Sequence, residues 1–283
     1  MHVFQTIEPL RSYLDKQRTN GVKIGLVPTM GALHEGHAVL LKKSVEENAL
    51  TVCSIFVNPT QFNDPEDLSR YPQTPEQDIR LLEKQGCQVV FIPAAEEMYS
   101  TEPSLKMDFG YLSGIMEGAF RPGHFNGVGL VVAKLLNIIQ PDNAYFGQKD
   151  YQQFLIIKQL AKDLSFRSNI IPVATVREAD GLAFSSRNVN LSEADRKVAP
   201  VLYKVLKKAG KELNDGMGPS DVREMVNRYC HDAGIRLEYF EIAYAGSLLP
   251  VVELDHEVEI ILCIAAKVGS VRLIDNVLLN DIQ

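Results

Sequence analysis

Apolar, β-branched segments alternate with segments of helical spacing through the first two thirds of this chain. The strand candidates are 22–27, 51–57, 88–92, 143–146 and 169–173, and the helix candidates are 35–48, 75–85, 126–139 and 150–164. Such alternation is typical of consecutive βαβ units, in which parallel strands form one sheet with helices on both faces. The sequence therefore predicts an α/β fold, with ligands bound beyond the carboxyl ends of the strands.

The pattern changes towards the C-terminus. Ser192 is an N-cap signal for a helix over about 193–213, and a Gly/Pro-containing break at 216–220 precedes a second helix that ends near 233. Three apolar segments follow, at 236–244, 257–266 and 271–277, and they suit a small antiparallel sheet. We place the boundary near 176–184 and predict two domains, 1–176 and 177–283.

Charge and cysteine content exclude several classes of protein. The net charge of −7, from 29 basic and 36 acidic residues, gives no electrostatic signature for binding nucleic acid or an anionic membrane. There is no 18-residue apolar run and no N-terminal basic segment followed by an apolar one, so we expect a cytoplasmic protein. Four widely spaced cysteines lie mostly in apolar runs and are predicted to be buried thiols: Cys53, Cys87, Cys230 and Cys263.

Residues 28–37 (Pro-Thr-Met-Gly-Ala-Leu-His-Glu-Gly-His) end one predicted strand, turn, and begin a helix. Unpaired N–H groups and a partial positive charge at a helix N-terminus favour a bound phosphate. His34 and His37 share one helical face and can address the same anion, while Gly31 and Gly36 permit close backbone approach. A solvated helix start and a zinc-binding pair remain alternative interpretations of the two histidines.

Segment 28–37 resembles the nucleotide-binding segment of the pantothenate synthetase family, the ligases that join pantoate to β-alanine with ATP. Five further blocks match in the same order, and they are 56–62, 71–75, 121–125, 146–153, and 176–178 with 185–188. The resemblance implies a Rossmann-like nucleotidyltransferase domain that binds ATP and pantoate, and a smaller α+β C-terminal lid domain. It also implies a noncovalent pantoyl adenylate, release of AMP and pyrophosphate, Mg²⁺, and a homodimer.

The resemblance assigns roles to individual residues. It implies that His34, His37, Lys149 and Arg187 act on the phosphates during catalysis. The ATP contacts would also include Met30, Gly31, Gly147, Asp150, Val176, Ser185 and Ser186. The pantoate contacts would be Pro28, Met30, Gln61 and Gln153, with Asn58 and Arg121 as further candidates. Asp78 is the candidate magnesium ligand, although Gln77 stands where some family members have a second acid.

Other functions are compatible with parts of the pattern. A nucleotidyltransferase that modifies a phosphorylated acceptor shares the strand, turn and histidines, but its acceptor pocket would call for more basic residues than Gln61 and Gln153. A regulatory nucleotide-binding module would not require so much charge at the phosphates. A zinc hydrolase would need a third ligand at a recognisable spacing from His34 and His37.

Overall fold

The computed structural model describes residues 1–255 and 257–282. The strands are β1 (His2–Phe4), β2 (Ile24–Thr29), β3 (Leu50–Ile55), β4 (Val89–Phe91), β5 (Asn143–Gly147), β6 (Asn169–Val173), β7 (Arg236–Tyr244), β8 (Ile260–Val268) and β9 (Val271–Leu278). None of the helices in the described ranges is long and apolar enough to cross a membrane.

The α-helices are α1 (Ile7–Thr19), α2 (Glu35–Glu47), α3 (Pro65–Ser69), α4 (Pro75–Lys84), α5 (Ala95–Met98), α6 (Tyr111–Gly114), α7 (Met116–Phe120), α8 (His124–Ile139), α9 (Tyr151–Asp163), α10 (Glu193–Val198), α11 (Val201–Asn214) and α12 (Pro219–Asp232). Short 3₁₀ turns lie at Pro59–Gln61, Gln148–Asp150, Ser186–Asn190 and Leu279–Asp281.

By its internal contacts the chain divides into two compact units, which are residues 1–148 with 153–174, and residues 149–152 with 175 onwards. The first unit contains a six-stranded sheet in the order β1-β4-β3-β2-β5-β6, and all of its strand pairs are parallel. The predicted parallel sheet is confirmed. Its central strands are buried, as their nearly continuous apolar sequences require.

The order of strands marks where ligands should bind. From β2 the chain proceeds through β3 to β4 on one side, whereas β5 and β6 lie on the other side of β2. Ligands in such sheets bind at the carboxyl ends of the two strands where this direction reverses. Here those strands are β2, which leads into residues 30–37, and β5, which ends at Gly147.

The second unit contains a three-stranded antiparallel sheet in the order β7-β8-β9. Helices α11 and α12 bury an apolar stripe against it, with Leu206, Val226 and Leu262 all fully buried. The predicted small antiparallel sheet is confirmed. All four cysteines, each within the described part of the chain, are buried thiols as predicted.

The short helices α3, α5, α6 and α7 were not predicted, and two larger features also differ from the predictions. The single helix expected over 193–213 is two helices, α10 and α11, separated at Ala199 and Pro200. Proline has no backbone N–H to donate within a helix, so it begins the second helix instead of continuing the first. The N-terminal pair β1 and α1 was not predicted, because a three-residue strand gives too little periodicity to detect.

Candidate active site

The turn after β2 has left-handed backbone that one buried carboxylate holds in place. Gly31 has φ of +82° and Ala32 has φ of +49°; the latter conformation costs a residue with a Cβ roughly 1–2 kcal/mol. Asp78, on α4 and 1% exposed, accepts from the N–H groups of Ala32 at 3.0 Å and Leu33 at 2.8 Å. The Thr74 hydroxyl donates to the same carboxylate at 3.0 Å. Asp78 therefore determines the path of the chain into α2.

The two histidines of this segment cap the helix that they begin. His34 is the N-cap of α2, and its Nδ1 accepts from Gly36 N–H at 3.2 Å. The Nδ1 of His37 accepts from His34 N–H at 3.3 Å, and the two ring centroids lie 4.1 Å apart. A ring whose Nδ1 accepts from a backbone N–H carries its proton on Nε2 when it is neutral. Both rings are therefore Nε2–H donors, a form that suits phosphate oxygens.

A cluster of neutral amides follows β3 at the same edge of the sheet. Asn58 and Gln61 are 1% and 7% exposed, and Asn58 Nδ2 donates to Gln61 Oε1 at 3.1 Å. The other end of the Gln61 amide, Nε2, lies 3.1 Å from Met30 Sδ. The structure thus brings together three predicted pantoate residues, combining amide groups with an apolar thioether.

Helix α8 supports this amide cluster at very close range. A Cβ at Gly127 would lie 2.3 Å from the carbonyl oxygen of Thr60 and 2.6 Å from the nitrogen of Gln61. Only glycine allows the helix backbone to approach the Pro59–Gln61 turn so closely. Asn58 Nδ2 also donates to the carbonyl of Gly127 at 3.1 Å, so the close approach adds a hydrogen bond between α8 and the amide cluster.

Arg121 lies beside the N-terminus of α8 and contacts an acid. Its guanidinium is 3.6 Å from an oxygen of Asp67, and its side chain is 14% exposed. It is also 3.5 Å from Nε2 of His124. His124 Nδ1 lies 2.8 Å from the carbonyl of Gln61, within hydrogen-bonding distance. These contacts favour a role for Arg121 in anchoring its loop, and they connect it to the amide cluster.

In the second unit, Lys149 is held through its main chain. Asn276 Nδ2, on β9, donates to the carbonyl of Lys149 at 2.8 Å. The Nζ of Lys149 lies 3.3 Å from Asp150 Oδ1, and its side chain is 19% exposed. A buried ion pair supports the same strand, since Arg177 binds Asp275 through two hydrogen bonds of 2.6 and 3.0 Å.

The segment that contains Ser185–Arg187 is a short 3₁₀ turn fixed at both ends. Ser185 caps it and accepts from Arg187 N–H at 3.3 Å. Asn188 Nδ2 donates to the carbonyl of Ala183 and to Glu178, each at 3.1 Å. Val176 precedes it and accepts from Phe184 N–H at 3.0 Å. The predicted phosphate-binding segment is therefore a structured turn.

The remaining predicted residues lie at strand ends or on α9. Pro28 is partly exposed near the end of β2, and Gly147 is the last residue of β5. Gln153 is partly exposed in the first turns of α9, whereas the neighbouring Gln152 is 6% exposed. Their positions follow from the strand–turn–helix pattern in the sequence.

Sequence reasoning missed the residues that support the site. Tyr99 and His124 contact the amide cluster, and Asn276 contacts Lys149. His124 lies within a matching block, 121–125, which was a usable signal. Nothing in the spacing of Tyr99 or Asn276 connects them with the residues that they contact.

The predicted magnesium ligand already uses both of its oxygens to accept hydrogen bonds. Within residues 1–255 and 257–282, no three or more His, Cys, Asp and Glu side chains are grouped so as to hold a metal ion. Mg²⁺ commonly takes only one or two carboxylates together with substrate phosphates. The surroundings of Asp78 fit a role in the turn better than a role as a metal ligand.

Comparisons with known proteins agree on one family. A family model described as pantoate-beta-alanine ligase matches residues 2–278. A pantothenate synthetase from Bacteroides thetaiotaomicron is 46% identical over 283 residues, which is 100% of both chains. A crystal structure of pantothenate synthetase from Thermus thermophilus superposes with a TM-score of 0.92 at 39% identity and 99% coverage of both chains.

A second solved structure is informative because of its ligands. It is a pantoate-beta-alanine ligase from Francisella tularensis, described as complexed with beta-gamma ATP and beta-alanine. It is 37% identical to this chain, with a TM-score of 0.83 and coverage of 99% of this chain and 98% of that one.

Proposed function

The chain belongs to the pantoate-beta-alanine ligase family, and we propose that the helix start at His34 and the amide cluster at Gln61 form the core of its active site. Its activity is the ATP-dependent condensation of pantoate with β-alanine to give pantothenate, AMP and pyrophosphate. The observation that carries the assignment is the contact between Met30, in the turn before His34, and Gln61, in the amide cluster. A phosphate-binding turn and a site for a small acid thereby adjoin each other.

The first step is attack by the pantoate carboxylate on the α-phosphorus of ATP, with pyrophosphate leaving in line. Both reactants are anionic, so the enzyme has to neutralise charge and fix geometry. We assign the phosphates to His34 and His37 as Nε2–H donors, and to Lys149 and Arg187 as cations. The other proposed ATP contacts are Met30, Gly31, Gly147, Asp150, Val176, Ser185 and Ser186.

The pantoate site is proposed around Gln61 and Gln153, with Pro28 and Met30 as its apolar wall. Asn58 supports Gln61 through a 3.1 Å hydrogen bond, and we assign Arg121 to loop support because it contacts Asp67. The polar groups beside Met30 are amides, which bind hydroxyl and carboxylate oxygens without requiring a phosphate on the acceptor. This chemistry favours the ligase over a nucleotidyltransferase with a phosphorylated acceptor.

The product of the first step is proposed to be a noncovalent pantoyl adenylate. The chemistry needs no protein nucleophile, because phosphoryl transfer of this kind is catalysed by positioning and charge stabilisation. The amine of β-alanine then attacks the acyl carbon and releases AMP. Water has to be excluded until the amine arrives.

Four further assignments are proposals. We propose that Mg²⁺ accompanies the ATP phosphates, where it would neutralise negative charge. We also propose a homodimer and a cytoplasmic location. The predicted division at 176/177 into a catalytic and a lid domain is likewise a proposal about function.

Isotope exchange tests the mechanism. Without β-alanine, the enzyme should catalyse pantoate-dependent exchange of labelled pyrophosphate into ATP. With both substrates, oxygen-18 from the pantoate carboxylate should appear in AMP, and AMP and pyrophosphate should form in equal amounts. Formation of ADP and phosphate would indicate an acyl phosphate and contradict the adenylate, as would protein that becomes covalently labelled by radioactive pantoate.

A further inference from the structure

The orientation of the Asn58 side-chain amide is dictated by its neighbours. Its Nδ2 faces the carbonyl of Gly127 at 3.1 Å, and a backbone carbonyl only accepts. Its Oδ1 faces the N–H of Thr60 at 3.4 Å, and a backbone N–H only donates. Exchanging the oxygen and the nitrogen would place the NH₂ group against the N–H of Thr60 and the oxygen against the carbonyl of Gly127. The backbone therefore favours the orientation in which Nδ2 donates and Oδ1 accepts.

Two hydroxyl groups reinforce that orientation. The hydroxyl of Tyr99 lies 2.9 Å from Asn58 Oδ1, and the hydroxyl of Thr60 lies 3.0 Å from it. Burial raises the pKa of Tyr99 above its ordinary value, so the phenol keeps its proton near neutral pH and donates it to the amide oxygen. Asn58 Oδ1 thus accepts from three donors at once.

The fixed orientation is passed on to Gln61. Because both hydrogens of Asn58 Nδ2 are directed at acceptors, the atom of Gln61 that it meets at 3.1 Å has to be Oε1. Gln61 Nε2 then points the opposite way, towards Met30 Sδ at 3.1 Å. A thioether is a weak acceptor, and a carboxylate oxygen would be a stronger partner for this donor.

We propose that Tyr99 and Thr60 are positioning residues that act through Asn58 to hold Gln61 with its NH₂ group towards the acid substrate. Towards the substrate Gln61 then presents only a donor, and it selects a substrate that offers an acceptor oxygen. A carboxylate satisfies this requirement with either oxygen, whereas a carboxamide does so with only one of its two ends. We make this inference on the basis of the proposed function, in which Gln61 binds pantoate.

The test measures affinity for pantoate and for its primary amide by calorimetry. Loss of one neutral hydrogen bond in Tyr99→Phe should weaken pantoate binding by roughly three- to tenfold. The ratio of amide to pantoate dissociation constants should fall by a similar factor, because Gln61 can then present Oε1. ATP affinity should change less than twofold. Thr60→Val should act in the same direction, and Thr60→Ser, which keeps the hydroxyl, should restore both values.

A stronger perturbation is Asn58→Asp, in which no side-chain hydrogen is available for Gln61 Oε1. The Gln61 amide should rotate so that its NH₂ faces the new carboxylate, and the preference for pantoate over its amide should fall further than in Tyr99→Phe. The matched control is Tyr229→Phe, which removes a hydroxyl from a ring on α12 that is 40% exposed. It should change neither the affinity nor the ratio.

Gln61→Ala separates the two levels of the proposal. If it leaves pantoate affinity unchanged, the proposed pantoate site is wrong. If it weakens pantoate binding while Tyr99→Phe and Asn58→Asp keep the wild-type ratio, the site is correct and the positioning role is wrong. Lower pantoate affinity at an unchanged ratio of amide to pantoate dissociation constants would also overturn the positioning role. General damage to the pocket would weaken the binding of both ligands alike. Tyr99→Phe and Thr60→Val keep the test valid if Asn58→Asp does not fold.

Discussion

Replacing Asp78 by asparagine should destabilise the turn after β2 and disturb the helix start that follows it. Asparagine retains one acceptor oxygen but places an NH₂ group against a backbone N–H, either that of Ala32 or that of Leu33. A hydrogen bond to a charged group contributes about 1.5–3 kcal/mol, and a buried donor left without a partner costs a comparable amount. We therefore expect the free energy of unfolding to fall by about 2–4 kcal/mol.

Activity should fall as well, because His34 follows the turn directly. Ala32, at φ of +49°, keeps a conformation that alanine adopts rarely, and it would relax once the carboxylate is lost. A shift of about 1 Å in a positioned group costs on the order of 100-fold in rate, and partial relaxation should lower kcat/KM by at least about tenfold. Ala32→Gly added to Asp78→Asn should recover part of the lost stability, since glycine adopts positive φ without strain.

Urea unfolding in the presence of a chelator, followed by kinetics across a Mg²⁺ titration, checks this expectation. The control is Glu76→Gln, the same chemical change at an exposed position in the first turn of α4. If Asp78 is instead a magnesium ligand, Asp78→Asn should have unchanged stability in chelator and a raised Mg²⁺ requirement. That pair of results would refute the turn-anchoring role.

Three other perturbations have defined outcomes. In Gly127→Ala the new Cβ would lie 2.3 Å from the carbonyl oxygen of Thr60. The variant should have a lower thermal midpoint and a higher pantoate KM, with little change in ATP affinity. An unchanged pantoate KM would contradict the packing argument. Lys149→Ala should lower kcat/KM by roughly 100-fold, or about 3 kcal/mol, at unchanged folding stability. Near-full activity would mean that the Lys149 ammonium does not act on phosphate. The hydrogen bond from Arg196 lowers the pKa of Asp180 below its ordinary 3.8, so the stability that Asp180 contributes is present above that pH and lost as pH falls through the lowered pKa. Urea unfolding of Asp180→Asn should therefore differ from wild type at pH 7 and converge with it in acid, and a difference independent of pH would exclude the ion pair as its source.

The sequence predicted those parts of the site that consecutive residues determine. An apolar strand, a glycine-containing turn and a helix start lie within residues 22–45, so local propensity and spacing place His34 and His37 on one helix. The parallel sheet followed from the same alternation. The break at Pro200 could have been anticipated from its missing N–H, but the long apolar periodicity over 193–213 obscured it.

The supporting contacts could not be predicted in this way because they connect distant parts of the chain. Asp78 is 46 residues from Ala32, and Tyr99 is 41 residues from Asn58. Each partner is an ordinary residue for its own element, an acid in the first turns of a helix and an aromatic residue after one. Only the folded topology brings them to the turn and the amide cluster.

The distribution of neutral and charged groups follows from where charge changes during the proposed reaction. The pantoate carboxylate loses negative charge as it bonds to phosphorus, so a strong cation at that carboxylate would stabilise the ground state more than the transition state. An amide donor such as Gln61 orients the carboxylate without that cost. Pyrophosphate gains charge as it leaves, and there cations such as Lys149 and Arg187 stabilise the transition state preferentially. A site that joins an acid to ATP therefore needs neutral donors at the nucleophile and cations at the leaving group, which is the division that the proposed roles of these residues follow.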